Sequence, residues 1–245
     1  MKAAAALLCL LCLFGCSQRR GVERVEWTTM GTIAAFQCRD AKDLEKAHIV
    51  RQAFAEVERL LNAHDPQSEL SRLATLRDDE ILSRCDALVR PCYEAAFRYR
   101  DATGRVFNPR FRGEGTMDLG AIAKGFAVDL AAERVGECDA LIDLGGNLKA
   151  CGGEWRVGIF GGDEVVVLRR GESCATSGEY YRGKHIKDGR TGGEVAGAAK
   201  SVTVVSGRSA MDADALSTIL FILGREKGME WFDSSRDPTE KAVWL

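Results

Sequence analysis

Between residues 42 and 62 the apolar positions Leu44, Ala47, Val50, Phe54, Val57 and Leu61 recur every three or four residues, one stripe of an amphipathic helix. "AHDPQSELSR" interrupts it, and a short helix is expected from Glu69. A second amphipathic pattern over residues 78 to 102 predicts a helix bent or split at Pro91. The run "LGAIAKGFAVDLAAERVG" predicts a helix over 119–135, ended by Gly136. Upstream, "VERVEWTTMGTIAAFQC" is rich in β-branched and aromatic residues with partial alternation, and predicts a strand or hairpin. After residue 138 the period changes. "DALIDL", "EWRVGIF", "EVVVLRR" and "SVTVVS" are short β-type runs separated by glycines, as in an antiparallel sheet. "SAMDADALSTILFILG", residues 209 to 224, returns to a helix; a short one follows near 225–233, and "KAVWL" is a candidate last strand. Helices, strands and helices again give one α+β domain, an antiparallel sheet with packed helices.

Composition narrows the function more than the fold. The 245 residues are 46% hydrophobic and 29% charged, with a formal net charge of −2, so no basic footprint for nucleic acid exists and none is expected as a partner. Glycine is abundant (26) and proline scarce (4), and the glycines cluster. Such clusters suit loops that bring backbone close to a ligand.

The first residues read as a targeting segment. "MKAAAALLCLLCLFGCSQRR" has one Lys and then an apolar run from Ala3 to Phe14, too short for an ordinary membrane span. The run ends in "LFGC", which resembles a bacterial lipobox, with cleavage after Gly15 and diacylation of Cys16. The expected organisation is a signal peptide over 1–15, a lipidated tether over 16–26 and a folded domain over 27–245. The expected location is the periplasmic side of the bacterial cell membrane, held by the lipid. Nine cysteines are present, three of them in or ending the leader. The remaining six contain no C-x-x-C pair, which argues against zinc and leaves disulfides or buried thiols open.

Four clusters could carry chemistry. Asp214 and Thr218 lie four apart in an apolar helix, so their side chains share a face, with Ser217 beside them. A carboxylate and a hydroxyl are hard oxygen ligands of the kind Mg²⁺ takes; helix capping by Asp212 and back-bonding by Thr218 is the structural alternative. Lys124 is the one cation of "MDLGAIAKG", and a lysine at a glycine-flanked helix start can meet a phosphate. Gly146 and Asn147 follow Asp143 in "LIDLGGNL", a turn whose amides can face a ligand. "CATSGEYYRGKHIKDGRTG" gathers Thr176, Ser177, His185, Arg190 and Thr191 in a polar loop system, and His185 can serve as a base near neutral pH. No G-x-S-x-G elbow, dinucleotide fingerprint or Walker spacing occurs.

Taken in order, "MGT" (30–32), "SELSRL" (68–73), "DLGAIAKGFAVD" (118–129), "DLGGNL" (143–148), "ATSGEY" (175–180), "HIKDGRTG" (185–192) and "DADALSTIL" (212–220) resemble the ApbE family, the FAD:protein FMN transferases. The resemblance spans almost the whole chain after the leader. It implies a single T-fold-related α+β domain, FAD as substrate, Mg²⁺, and transfer of FMN through a phosphoester to a Thr of an acceptor protein, with release of AMP. The implied acceptors are subunits of membrane redox complexes. Two alternatives accompany it: FAD pyrophosphatase activity, and FAD binding by a non-catalytic lipoprotein. On the matching residues, Asp214, Thr218 and the Ala121 carbonyl would be metal ligands, with Ser217 adjoining them. Met30, His64, Phe107, Asp118, Lys124, Gly146, Asn147, Thr176, Ser177 and Ile186 would lie on the flavin nucleotide, and His185 would deprotonate the acceptor Thr.

Three features depart from the family pattern. Only "RFRGEGTM" joins "FNP" to "DLG", where the family carries several tens of residues. The domain is thus shortened in the middle, and one wall of the flavin site is expected to lie open. His64 replaces a family Tyr, and Gly189 replaces a Pro in "HIKDGRTG", which is expected to loosen that turn.

Overall fold

The computed structural model describes residues 21–159, 162–179, 185–195 and 199–245. Seven strands form one antiparallel sheet in the order β1 (Glu23–Thr29), β2 (Thr32–Cys38), β3 (Ala140–Leu144), β4 (Asn147–Ala150), β7 (Ser173–Gly178), β8 (Ser201–Ser206) and β9 (Lys241–Trp244). A separate hairpin, β5 (Glu154–Gly158) with β6 (Val165–Arg169), caps part of one sheet face. Trp155 and Leu168 of this hairpin pack on Leu141, Leu148, Ala150 and Cys174. "VERVEWTTMGTIAAFQC" is thus a hairpin, with Glu23 opposite Cys38 and the turn at Met30 and Gly31. The folded unit begins at Glu23, inside the stretch expected to be a tether over 16–26. The leader and Cys16 lie outside the described residues.

The helices are α1 (Ala47–Leu61), α2 (Glu69–Leu73), α3 (Asp78–Arg84), α4 (Arg90–Ala102), α5 (Ala123–Val135), α6 (Ala210–Leu223) and α7 (Arg225–Ser235). Pro91 splits the 78–102 pattern, because it tolerates only the first turn of a new helix. The stripe over 42–62 opens with a 3₁₀ turn, Ala41–Lys46, before α1 begins. The helix expected over 119–135 starts only at Ala123, since Leu119 to Ile122 form a tight turn onto the Leu119 carbonyl. Gly136 ends it as expected, its amide bonding back to Ala132 O.

α6 is apolar on nearly every side and is buried along its length except at Met211 and Leu223. A helix of that kind must be enclosed by other elements. It lies between β7 and β8 on one side and α5 on another, and α5 packs in turn on α1. Every polar side chain in the interior of α6 is therefore held in the core. Among the described residues no helix is long and apolar enough to cross a membrane.

Candidate active site

The site is built where α5 and α6 touch. A Cβ on Gly125 would lie 2.2 Å from the Ala210 carbonyl oxygen, so only glycine lets the two backbones approach this closely. The approach lets each helix satisfy amides that the other's first turn leaves without partners. Gly125 N–H donates to Asp214 Oδ2 at 3.0 Å. Ala210 N–H and Met211 N–H donate to the two carboxylate oxygens of Asp129, each at 2.9 Å. Both carboxylates sit at the positive end of a helix dipole. The Gly125 amide would otherwise close a helical turn onto the carbonyl of Ala121, four residues back.

Asp214 is 4% exposed, and burial pushes its carboxyl up from the ordinary range. The Lys124 ammonium, the Gly125 amide and the Asn147 side-chain amide pull it back. Lys124 Nζ stands 3.7 Å from Asp214 Oδ2 and donates to Gly120 O at 2.6 Å. Thr218, one turn along α6, meets the Ser177 hydroxyl of β7 at 3.1 Å. Ser217 does not reach the open face. It is fully buried, bonded to Ser177 Oγ at 2.9 Å and back to Asp214 O at 3.0 Å. Three residues on a helix turn short of a full circle, so Ser217 supports Ser177 from behind while Thr218 faces outward with Asp214.

These groups form the floor of a cavity of about 910 Å³, a volume in the range of cofactor pockets. Met30, Gly146, Asn147 and Thr176 line it from the sheet, Phe107 and Asp118 from the 105–118 segment, and Ala121 and Lys124 from the start of α5. His64 lines it beyond the end of α1, and His185 and Ile186 from the loop after β7. Of the expected site residues only Ser217 stands behind the wall, and Cys16 lies outside the described residues. Asp118 is already engaged: Oδ1 accepts from Gly120 N–H at 2.8 Å and Oδ2 pairs with Arg112 at 2.8 Å.

Sequence reasoning named Asp143 only as the residue before a turn, and passed over Arg112 and Asn108 on this surface. Asp143, next to last in β3, accepts from Gly146 N–H at 3.0 Å, and has its carboxyl pushed up by burial. The signal was a carboxylate placed just before a Gly-Gly turn. Arg112 brings a cation to the rim through Asp118. Asn108 ties two walls together, its Nδ2 donating to Gly189 O at 2.9 Å. Nothing in local spacing announces a contact between residues 81 positions apart.

Two expectations drawn from the departures are corrected. Gly189 does not loosen its turn: its N–H donates to Val106 O at 3.0 Å, a bond that Pro could not make. The shortened middle does not leave a bare edge. Phe107, Pro109, Phe111 and Arg112 form that wall. Arg110 pins the segment to the carbonyls of Ala74 and Leu76, the latter at 2.7 Å.

Among the described residues no three His, Cys, Asp or Glu side chains converge to hold a metal. A cation here would rest on one carboxylate, the Thr218 and Ser177 hydroxyls, and main-chain or substrate oxygens. Such an all-oxygen set suits Mg²⁺ and disfavours soft metals. The buried Oδ1 of Asn147, without a hydrogen-bond partner among the described residues, is a further hard acceptor at the same floor. The donor chemistry fits the ion.

Comparison with known proteins bears on the family and the fold. The sequence model of the ApbE family matches residues 110–243. An FAD:protein FMN transferase of Klebsiella pneumoniae is 40% identical over 129 residues, covering 46% of this chain and 40% of that protein. One from Rhodobacter capsulatus is 35% identical over 168 residues, covering 58% and 31%. The alignments thus span about 40% or less of these relatives' length. The fold extends further: the apo flavinyl transferase ApbE of Pseudomonas stutzeri superposes with a TM-score of 0.73 at 20% identity, covering 91% of this chain and 94% of that one. The apbe protein of Thermotoga maritima gives 0.71 at 19% identity over 91% and 94%. With the family's pattern running over more than half of its 245 residues, the chain belongs to the ApbE family.

Proposed function

We propose that the chain is an FAD:protein FMN transferase, which cleaves FAD and joins FMN through a phosphoester to a Thr of an acceptor protein, with release of AMP. The observation that carries this reading is the meeting of a buried carboxylate–lysine pair, a hydroxyl cluster and His185 on one cavity of about 910 Å³. Pyrophosphate cleavage needs positive charge near oxygens that repel one another, and an oriented hydroxyl with somewhere to send its proton. Lys124 supplies a fixed cation at the floor, backed by the N-terminus of α5. Phe107, Met30 and Ile186 supply apolar surface for the flavin ring, with His64 at the position of a family Tyr. His185 takes the proton of the acceptor Thr at a ring nitrogen as the Thr Oγ–P bond forms, and the bridging P–O bond breaks to release AMP.

Asp214, Thr218 and the Ala121 carbonyl would hold Mg²⁺, with Ser177 and Ser217 supporting Thr218. When bound, the ion would neutralise charge on the pyrophosphate oxygens. The same reading takes the chain to be exported, anchored to the bacterial membrane by a lipid at Cys16, and to act on a subunit of a membrane redox complex. It draws on the "LFGC" pattern and on the family resemblance.

AMP release from FAD by the full chain in detergent micelles tests the reading, with Mg²⁺ and then with excess EDTA. The expected result is AMP formation that needs Mg²⁺ and drops by about a hundredfold or more in Asp214→Asn. FAD bound with unchanged affinity but left intact would make the chain a carrier. AMP and free FMN formed equally fast with and without an acceptor domain would make it a pyrophosphatase.

A further inference from the structure

Away from the active site, one pair of thiols is set up for chemistry. Cys138 and Cys151 flank the β3–β4 hairpin, whose Gly145–Gly146 turn lines the active-site cavity. The backbone brings them together. Cys151 N–H donates to Ala140 O at 2.9 Å, and Ala140 N–H turns back onto Cys138 O at 2.8 Å, which folds Cys138 over the end of β4. A Cβ on Gly152 would lie 2.5 Å from Cys138 O, so the two segments pass backbone against backbone. Clamps hold both sides. Arg39 reaches Asp139 through its main-chain N–H at 3.0 Å and its guanidinium at 2.6 Å, and Trp155 Nε1 donates to Gly152 O at 2.9 Å.

The two thiols are near enough that each shifts the other's titration. The Cys151 thiol and the nearby Lys46 ammonium hold the Cys138 thiol below its ordinary range, against burial and the Asp43 carboxylate. Its partner Cys151 is pushed up by the same contact and by burial. Cys151 is half-buried and opens onto a second cavity of about 720 Å³, so a small oxidant can reach the pair. Among the described residues the other thiols are enclosed: Cys92 is fully buried, and burial pushes Cys174 up to about 12.

We infer that Cys138 and Cys151 form a reversible disulfide that closes the base of the β3–β4 hairpin, with a small disulfide or a thiol–disulfide oxidoreductase as oxidant. The Cys138 thiolate attacks the oxidant's disulfide, forming a mixed disulfide and expelling one thiolate. Cys151 loses its proton to solvent and attacks Cys138 Sγ, which expels the second thiolate. The pair gives up two electrons and the oxidant becomes two thiols. The closed loop carries at its tip the turn that borders Asn147 and Asp143, so oxidation stiffens one wall of the active site.

The experiment exposes the reduced full chain to oxidised glutathione, blocks remaining thiols with N-ethylmaleimide after denaturation, and maps tryptic peptides. Cleavage after Lys149 separates the two cysteines, so the bond appears as peptide Val135–Lys149 linked to Ala150–Arg156. The expected result is that linkage, reversed by dithiothreitol and absent from both Cys138→Ser and Cys151→Ser. Oxidation should also raise Tm by about 5 °C in the parent chain and leave Cys138→Ser unmoved. A link from Cys138 to Cys38, glutathione adducts without the internal bond, or Cys138 and Cys151 both still alkylated would each overturn the inference.

Discussion

The main-chain amide of Gly125, in the first turn of α5, donates to the Asp214 carboxylate of α6 at 3.0 Å. Four residues along each helix the relationship is returned: Asp129 of α5 accepts from the first two amides of α6. Two buried helix starts thus cap one another, and one of the capping carboxylates is the group at the floor of the cavity. The cost of burying Asp214 is met partly by this capping and partly by Lys124.

Gly125→Ala tests the close approach. The new methyl would sit 2.2 Å from Ala210 O and 2.8 Å from Asp214 Cβ, and backbone cannot swing aside as a flexible side chain can. The substitution should cost about 2 kcal/mol or more, and Tm should fall by about 5 °C. FAD affinity should fall with it, because Asp214 and Lys124 move together. Thermal melting and equilibrium FAD binding measure both.

Asp129→Ala removes the acceptor of the first two amides of α6, leaving the Ser209 cap on Asp212 N–H, and strands Lys149, which pairs with Asp129 at 2.8 Å. A loss of about 1–2 kcal/mol of stability is expected. Asp129 does not line the active-site cavity, so FAD binding well below Tm should change less than it does in Gly125→Ala. Denaturant unfolding and FAD titration of the two variants side by side give the comparison.

Much of this was legible in the chain, for reasons of local physics. The 3.6-residue period gave α1 and α4, the β-branched runs gave the sheet, and Asp214 with Thr218 showed one face of an apolar helix. Other features are properties of the tertiary contact. Nothing in the sequence near Asp214 says that its first partner is the amide of Gly125, or that Asp129 returns the bond. Gly189 read as a loosening because a missing Pro is a local fact, whereas its bonds to Val106 and Asn108 are long-range. The four-residue spacing put Thr218 on the face of Asp214 with Ser217 beside them, and only the packing against Ser177 shows that Ser217 stands behind the wall.

Asn108 provides a test of that long-range tie. Its amide holds Gly189 O at 2.9 Å and its Oδ1 accepts from Arg110 N–H at 3.0 Å, so it couples the Phe107 wall to the loop bearing His185. Asn108→Ala should lower turnover by about tenfold while FAD affinity changes little, since it displaces a base more than it removes a binding contact. Steady-state kinetics beside equilibrium FAD binding would show the split.

Glu69 predicts a pH dependence of stability. It is 9% exposed, its Oε2 accepts from Asp86 N–H at 2.8 Å, and burial nevertheless raises its carboxyl above the ordinary range. A raised folded pKa means the native state holds the proton more tightly than the unfolded chain, so its contribution is present at low pH and lost as pH rises through the folded value. Glu69→Gln keeps an acceptor for Asp86 and removes the buried charge. It should raise Tm at pH 7, with the advantage vanishing below about pH 4. Melting curves across that range would check the sign.

The central claim is transfer of FMN to a protein hydroxyl at the Asp214 floor. The most direct measurement is in-gel flavin fluorescence of an acceptor domain bearing one flavinylation-type Thr, after incubation with the full chain, FAD and Mg²⁺. A fluorescent acceptor band is expected, lost when that Thr is replaced by Ala and lost with Asp214→Asn or His185→Ala in the chain. A dark acceptor beside an undiminished release of AMP, or a band that survives Asp214→Asn, would contradict it.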